Sequence, residues 1–248
     1  MQDTIWIFAD ADDSLFTTQR TSPVDGSSEA SSDAKGTTGW FTPKQQAFLR
    51  LVDGRSRMVI TTARTSKAAM TIKLPAPADY KICSFGGIIR MPDGTAEARW
   101  YAIMKEKSQA CAPTLKKLDE LIAATCAAES IDARHHIATD EGLELFLSIK
   151  HNKKDMTQMA RLRDVLQAAL PEGWLLHFNG NFLAALPPHL RKEIALGWFK
   201  VNIAGVDSLS IGFGDSYTDL SFMGECDLAL MPTKSQNFKR LLEEVSHV

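Results

Sequence analysis

Ile7-Phe8-Ala9-Asp10-Ala11-Asp12-Asp13-Ser14-Leu15 is an apolar run that ends abruptly in carboxylates. Thr4–Ala9 has the length and composition of a short buried strand. Its acids fall just past the carboxyl end, where open α/β sheets place their binding crevice. Outward from this point the same theme repeats. Arg57–Thr61 reads as a second buried strand, ending in Thr61 and Thr62. Between the two, Thr42-Pro43 opens a helix, with Gln45 completing a capping-box pattern and Phe48, Leu51 and Val52 forming an apolar stripe. Ser66–Lys73 looks helical and stops at Pro75, and Tyr80–Phe85 is a third strand ended by Gly86-Gly87. This β-α-β-α-β order predicts a doubly wound, mostly parallel sheet. Residues 17–39, rich in Ser, Thr, Gly and Asp, read as a mobile surface loop.

The middle of the chain has a different rhythm. Ile88–Met91 and Arg99–Ile103 flank Pro92-Asp93-Gly94, the chemistry of a hairpin turn. A helix follows at 108–128, with Leu115, Leu118, Leu121 and Ile122 on one face. Strands at 131–138 and 143–150 flank Asp140-Glu141-Gly142. A second helix covers 155–170, and strands at 174–178 and 182–186 flank Asn179-Gly180-Asn181. Two helix-strand-strand units thus form an α+β insert over 88–185. The expected organisation is a Rossmann-like core, 1–87 and 186–248, carrying an inserted cap domain. After Pro187-Pro188 the first rhythm returns. It consists of a helix at 190–203, a strand at Ser208–Gly212, a turn holding Gly214–Asp219, a strand at Leu228–Met231 and a helix at 234–246.

Bulk properties narrow the function classes. The 248 residues are 44% hydrophobic and 23% charged, with a formal net charge of −2. That balance offers no general attraction to nucleic acid or to an anionic membrane, so an anionic substrate must be held locally. Cys83, Cys111, Cys126 and Cys226 have no CxxC or zinc-ligand spacing and are expected as free thiols. No apolar run approaches the ~20 residues that cross a bilayer. No basic segment followed by an apolar run opens the chain. The expectation is a cytoplasmic protein with no membrane or nucleic-acid partner. His135, His136, His151 and His177 are expected to serve packing or the surface.

The chemistry-bearing residues gather at strand ends: Asp10 and Asp12, Thr61 and Thr62, and Asp215 with Asp219. Two buried carboxylates two residues apart repel each other unless a hard cation relieves them, and Mg²⁺ suits one or two carboxylates plus phosphate and water. Lys192 adds a positive charge and Thr62 a hydroxyl donor, the groups that phosphoryl transfer needs around developing charge. Asp10-Ala11-Asp12-Asp13-Ser14-Leu15 resembles the DxDx(T/S)L signature of the haloacid dehalogenase superfamily. Ile60-Thr61-Thr62-Ala63-Arg64 resembles the second motif of its Cof-type and sucrose-phosphatase-like branch. Lys192-Glu193-Ile194-Ala195-Leu196 resembles the third, and Gly212-Phe213-Gly214-Asp215-Ser216-Tyr217-Thr218-Asp219 the fourth. The four motifs occur in order, with the insert between the second and third.

The resemblance implies a Mg²⁺-dependent phosphatase acting on a small phosphorylated metabolite, a sugar phosphate above all. It implies Asp10 as nucleophile and metal ligand. Asp12 would be the acid/base, binding metal through its carbonyl. Thr62 and Lys192 would hold the phosphoryl group, and Asp215 would bind metal. Asp219 would orient Lys192 or a metal-bound water. Ser14 keeps the hydroxyl of the usual Thr, and Arg64 would contact substrate or a surface partner. Asp13 replaces the usual Gly, Ala63 another Gly, Phe85 the usual Asn, and Thr218 another Asn. A phosphomutase of the same superfamily and a phosphoacceptor signalling module are the alternatives. Oligomeric state is not legible.

Overall fold

Trp6, Ile7, Phe8 and Ala9 of β1 (Ile5–Ala9) are all buried, as a strand covered on both faces and both edges requires. The computed structural model describes residues 4–74 and 80–245. In it β1 runs parallel to β11 (Leu209–Phe213) on one side and to β4 (Arg57–Thr61) on the other. The sheet extends from β4 to β5 (Tyr80–Cys83) and then to β6 (Ile88–Arg90), the one antiparallel member. On the other side it ends at β12 (Leu228–Leu230), parallel to β11. The order is β12-β11-β1-β4-β5-β6.

Alternation along β1 sends its side chains to two cores. Trp6 and Phe8 meet Phe199 edge-on, at ring separations of 5.3 and 5.6 Å. Phe199 ends α5 (Lys192–Phe199). Ile7 and Ala9 join Leu15, Phe16, Phe41, Leu49 and Ile60. Leu49 lies on α1 (Pro43–Val52), which carries the expected capping box: Gln45 N–H donates to Thr42 Oγ1, and Thr42 N–H donates to Gln45 Oε1.

Residues 17–39 are not one long loop. Ser28–Asp33 (β2) and Gly36–Phe41 (β3) form an antiparallel hairpin, tied down by mutual backbone bonds of 2.9 Å between Thr17 and Trp40. Polar composition was misleading because the buried positions take small residues. Ala30 is fully buried, and Ser31 spends its hydroxyl on Thr38 at 2.8 Å. Helix α2 is also shorter than expected, Ser66–Ala69; its expected stop at Pro75 lies outside the described residues, as does residue 246 of the terminal helix.

The chain forms two compact units, one of residues up to Glu97 together with those from Lys192 onward, the other Ala98–Arg191. The boundaries fall at 98 and 191 rather than 88 and 185: β6 belongs to the first unit's sheet, and Arg191 donates to the Pro187 and Gly173 carbonyls within the second unit. The Pro92-Asp93-Gly94 turn is present, with Asp93 accepting from Thr95 N–H at 2.8 Å. Its return arm, however, is a single bridge, Arg90 to Ala96. Arg99–Ile103 is helical, part of α3 (Ala98–Glu129). Trp100, Met104 and Ser108 are buried at four-residue steps, a helical period that the adjacent turn signal obscured.

In the second unit β7 (Ala133–Asp140), β8 (Leu143–His151), β10 (Phe182–Leu186) and β9 (Leu175–Asn179) form an antiparallel sheet in that order. Helices α3 and α4 (Met156–Ala169) close a core with it. Leu115, Leu118 and Ile122 face Leu147, Ile149, Leu183 and Ala185, with Met159, Leu162 and Leu166 from α4. Among the described residues no helix is long and apolar enough to cross a membrane. All four cysteines are free.

Candidate active site

Strands β1 and β11 deliver the acids. Asp10 follows β1, and its N–H donates to the Phe213 carbonyl at 2.8 Å, which ties the end of one strand to the other. Asp215 follows β11 two residues further on. Between Ser216 and Asp219 the chain makes a capped turn that leads into the short helix α6 (Leu220–Gly224). Asp219 Oδ2 accepts from Ser216 N–H at 3.0 Å and Ser216 Oγ at 2.6 Å, and from Asp215 N–H at 3.3 Å. This Ser-x-x-Asp pattern is a readable capping signal, so Ser216 was visible in the sequence as a positioning residue.

Lys192, the first residue of α5, is the centre of the cluster. Its Nζ donates to Asp10 Oδ1 at 2.6 Å and to Asp219 Oδ1 at 2.7 Å. All three are almost fully buried, with residue exposures of 5%, 7% and 1% for Lys192, Asp10 and Asp219. Burial raises the Asp10 carboxyl well above its usual range, with Asp219 and Asp12 adding repulsion that Lys192 only partly offsets. Burial pushes Asp219 the same way, but the Lys192 ammonium and the Ser216 donors outweigh it, and the net direction is down. Burial opposes the Lys192 charge, yet two carboxylates in contact raise its pKa overall.

Asp215 has no such partner. Ser14 Oγ donates to its Oδ1 at 3.0 Å, but burial and then the Asp219 charge push its pKa up to about 6. Carboxylate oxygens of Asp10, Asp215 and Asp219 lie within 4.8 Å of one another. Three hard oxygen donors so close, with the Asp10 and Asp215 carboxyls both resisting ionisation, fit a divalent cation of the Mg²⁺ class. The Asp12 side chain lies outside that group. Arg64 grips it in a fork, Nε to Oδ2 at 2.8 Å and Nη2 to Oδ1 at 2.6 Å, and Thr18 Oγ1 adds a third donor at 2.9 Å. Arg64 therefore meets a carboxylate in this structure. Thr18 also donates its N–H to Asp13 Oδ1 at 2.8 Å, and nothing in the sequence around Thr18 announced either role. Asp13 has φ 61°, the left-handed region where Gly is usual and Asp is tolerated.

Thr62 is buried at the end of β4. Its hydroxyl oxygen accepts from Arg64 N–H at 3.1 Å, leaving its own hydrogen to donate. Ser84 N–H donates to the Arg64 carbonyl at 2.7 Å and Phe85 N–H to the Thr62 carbonyl at 3.1 Å. The Ser84–Gly86 turn thus braces the Thr62–Arg64 segment through backbone bonds, and Phe85 stands within that turn at φ 56°.

The fold is similar to that of several solved phosphatases. The sucrose-phosphatase of Synechocystis sp., solved with sucrose and phosphate, matches at 14% identity and TM-score 0.52 over 100% of this chain and 98% of that one. The trehalose-6-phosphate phosphatase C-terminal domain of C. albicans matches at 11% identity and TM-score 0.56, over 90% and 73%. The IMP-nucleotidase of Plasmodium falciparum matches at 12% and 0.54, over 99% and 68%. No protein-family model and no curated protein sequence matches the chain.

Proposed function

We propose that the chain is a divalent-metal-dependent phosphatase of small phosphorylated metabolites, sugar phosphates first, working through an aspartyl-phosphate on Asp10. The observation that carries this reading is the Asp10–Lys192–Asp219 contact beside Asp215 at the ends of adjacent parallel strands. The phosphatase architecture of the solved structures supports it.

Asp10 attacks phosphorus, the bond to the ester oxygen breaks, and that oxygen takes a proton from Asp12. Water then attacks the same phosphorus and gives its proton to Asp12. The Asp10–phosphorus bond breaks, and inorganic phosphate leaves. Lys192 holds the Asp10 carboxylate and a phosphoryl oxygen, and Thr62 donates its free hydrogen to another. Asp10, Asp215 and the Asp12 carbonyl would hold the cation, with Asp219 beside them; when bound, the cation supplies charge neutralisation at the phosphoryl group. For its acid step Asp12 must carry a proton, so Arg64 must loosen its fork when substrate arrives.

The test is phosphate release from a panel of phosphorylated sugars, nucleotides and amino acids with Mg²⁺ present. Turnover is expected for one sugar-phosphate class, lost with chelator and with Asp10→Asn. Asp12→Asn should lower kcat by about 10²–10⁴-fold with little change in KM. Turnover that survives Asp10→Asn would overturn the covalent mechanism.

A further inference from the structure

The chain's last described helix, α7 (Gln236–Val245), is anchored at its first turn and exposed beyond it. Asn237 Nδ2 donates to the Ser216 carbonyl at 2.7 Å, and Asn237 N–H to the Asp215 carbonyl at 3.3 Å. From Lys239 to Val245 every residue is exposed. Phe238, Leu241, Leu242 and Val245 fall at the 3-and-4 spacing of one apolar stripe. Three of them, Leu241, Leu242 and Val245, are 47%, 52% and 62% exposed. Scattered surface leucines need no explanation, whereas a continuous helical stripe open to solvent marks an interaction surface.

The charges say what kind of partner fits. Lys239 and Arg240 precede the central leucines, and Glu243 and Glu244 follow them. This order opposes the helix macrodipole, which favours anions at the start and cations at the end. The intrahelical bond Arg240 Nε to Glu244 Oε1, 2.9 Å, has cation before anion, the weaker orientation, and both groups are exposed. A helix alone is thus made slightly less stable by its own charges. A second copy laid antiparallel reverses this. Lys239 and Glu243 share one flank of the stripe, and Arg240 and Glu244 the other. In a two-fold pair Lys239 of each copy faces Glu243 of the other, and Arg240 faces Glu244. The axis passes between Leu241 and Leu242. The opposed dipoles attract as well.

We propose that α7 is a self-association surface through which two copies of this chain form a symmetric dimer. An isologous contact requires one surface complementary to itself, and α7 has that property in both its apolar stripe and its charges. Its two cations and two anions cancel, so it lacks the cationic excess of a helix that lies on an anionic membrane. The proposal is independent of the phosphatase reading. It also ties oligomeric state to the Asp215–Ser216 segment through Asn237.

Sedimentation of the full chain in the micromolar range tests it. The expected mass is twice that of the 27.4 kDa chain. Leu241→Glu should halve it with an unchanged far-ultraviolet circular dichroism spectrum. The charge series holds even if that variant misfolds. Lys239→Glu/Arg240→Glu and Glu243→Lys/Glu244→Lys should each be monomeric alone and should form a dimer when mixed. A monomeric wild type, a dimer that persists in both charge variants alone, or a mixture that stays monomeric would overturn the proposal. So would flotation of the wild-type chain with phosphatidylserine vesicles that is lost in Leu241→Glu.

Discussion

Lys192 is the side chain on which the site depends for its electrostatic balance. Removing one member of a buried ion cluster leaves the others uncompensated, at a cost of about 3–5 kcal/mol. Lys192→Ala and Lys192→Met should both lose stability on that scale in urea denaturation. The methionine variant keeps most of the packing, so agreement between the two assigns the loss to charge. Mg²⁺ should recover more of the melting temperature in these variants than in wild type, because a bound cation stabilises the folded state alone. Asp215 supplies the pH dependence. Its folded pKa, about 6, lies above the ordinary carboxyl value. Its ionisation therefore opposes folding above about pH 6, and that opposition fades as pH falls toward about pH 4. A cation reverses the sign by favouring the ionised form. The thermal stabilisation by Mg²⁺ should be small near pH 5 and grow through pH 6 to pH 8; Asp215→Asn should flatten it. A Mg²⁺ effect independent of pH would remove Asp215 from the metal site.

At the scale of elements, glycine positions reveal which contacts are tight. A Cβ on Gly214 would come within 2.5 Å of Asp219 Cβ and 2.9 Å of Met223 Sδ. One on Gly39 would meet the Phe16 ring at 2.6 Å and Ser31 Oγ at 2.9 Å. Overpacking of this kind costs about 1–3 kcal/mol, so Gly214→Ala and Gly39→Ala should both lower the melting temperature. Only Gly214→Ala displaces Asp219, so it should lose far more activity than its stability loss explains. Equal activity losses in the two variants would sink the distinction. These contacts also account for what local patterns concealed. The hairpin over β2 and β3 was hidden because, before Phe41, its buried positions are Ala, Ser and Gly, which carry no hydrophobic period. The first turns of α3 were hidden because the turn signal at Pro92-Asp93-Gly94 suggested a return strand. Thr65 and Asp155, by contrast, stand at helix N-termini and accept backbone N–H groups there, as the N-cap preference of Thr and Asp implies.

At the scale of the whole molecule, the segment Ala98–Arg191 has its own core of Leu, Ile and Met between two helices and a sheet. A unit with a private core should fold alone. Expressed separately, residues 98–191 should show cooperative thermal unfolding by circular dichroism. A non-cooperative melt would show that this unit depends on the rest of the chain. The strands of the parallel sheet, the carboxylates at their ends and the interruption by an antiparallel insert were legible in the sequence, because each is written in composition and spacing over a few residues; the β2–β3 hairpin, the first turns of α3 and the order of the strands across the sheet were not. The placement of Lys192 between Asp10 and Asp219, across separations of 182 and 27 residues, was open to expectation but not to derivation. The Arg64–Thr18 grip on Asp12, the boundary at Ala98 and the exposed stripe of α7 were decided only in three dimensions. Local periodicity reports which face of an element is buried. Which distant side chains share that burial is set by sheet order and packing, and the charges of the site take their properties from those neighbours.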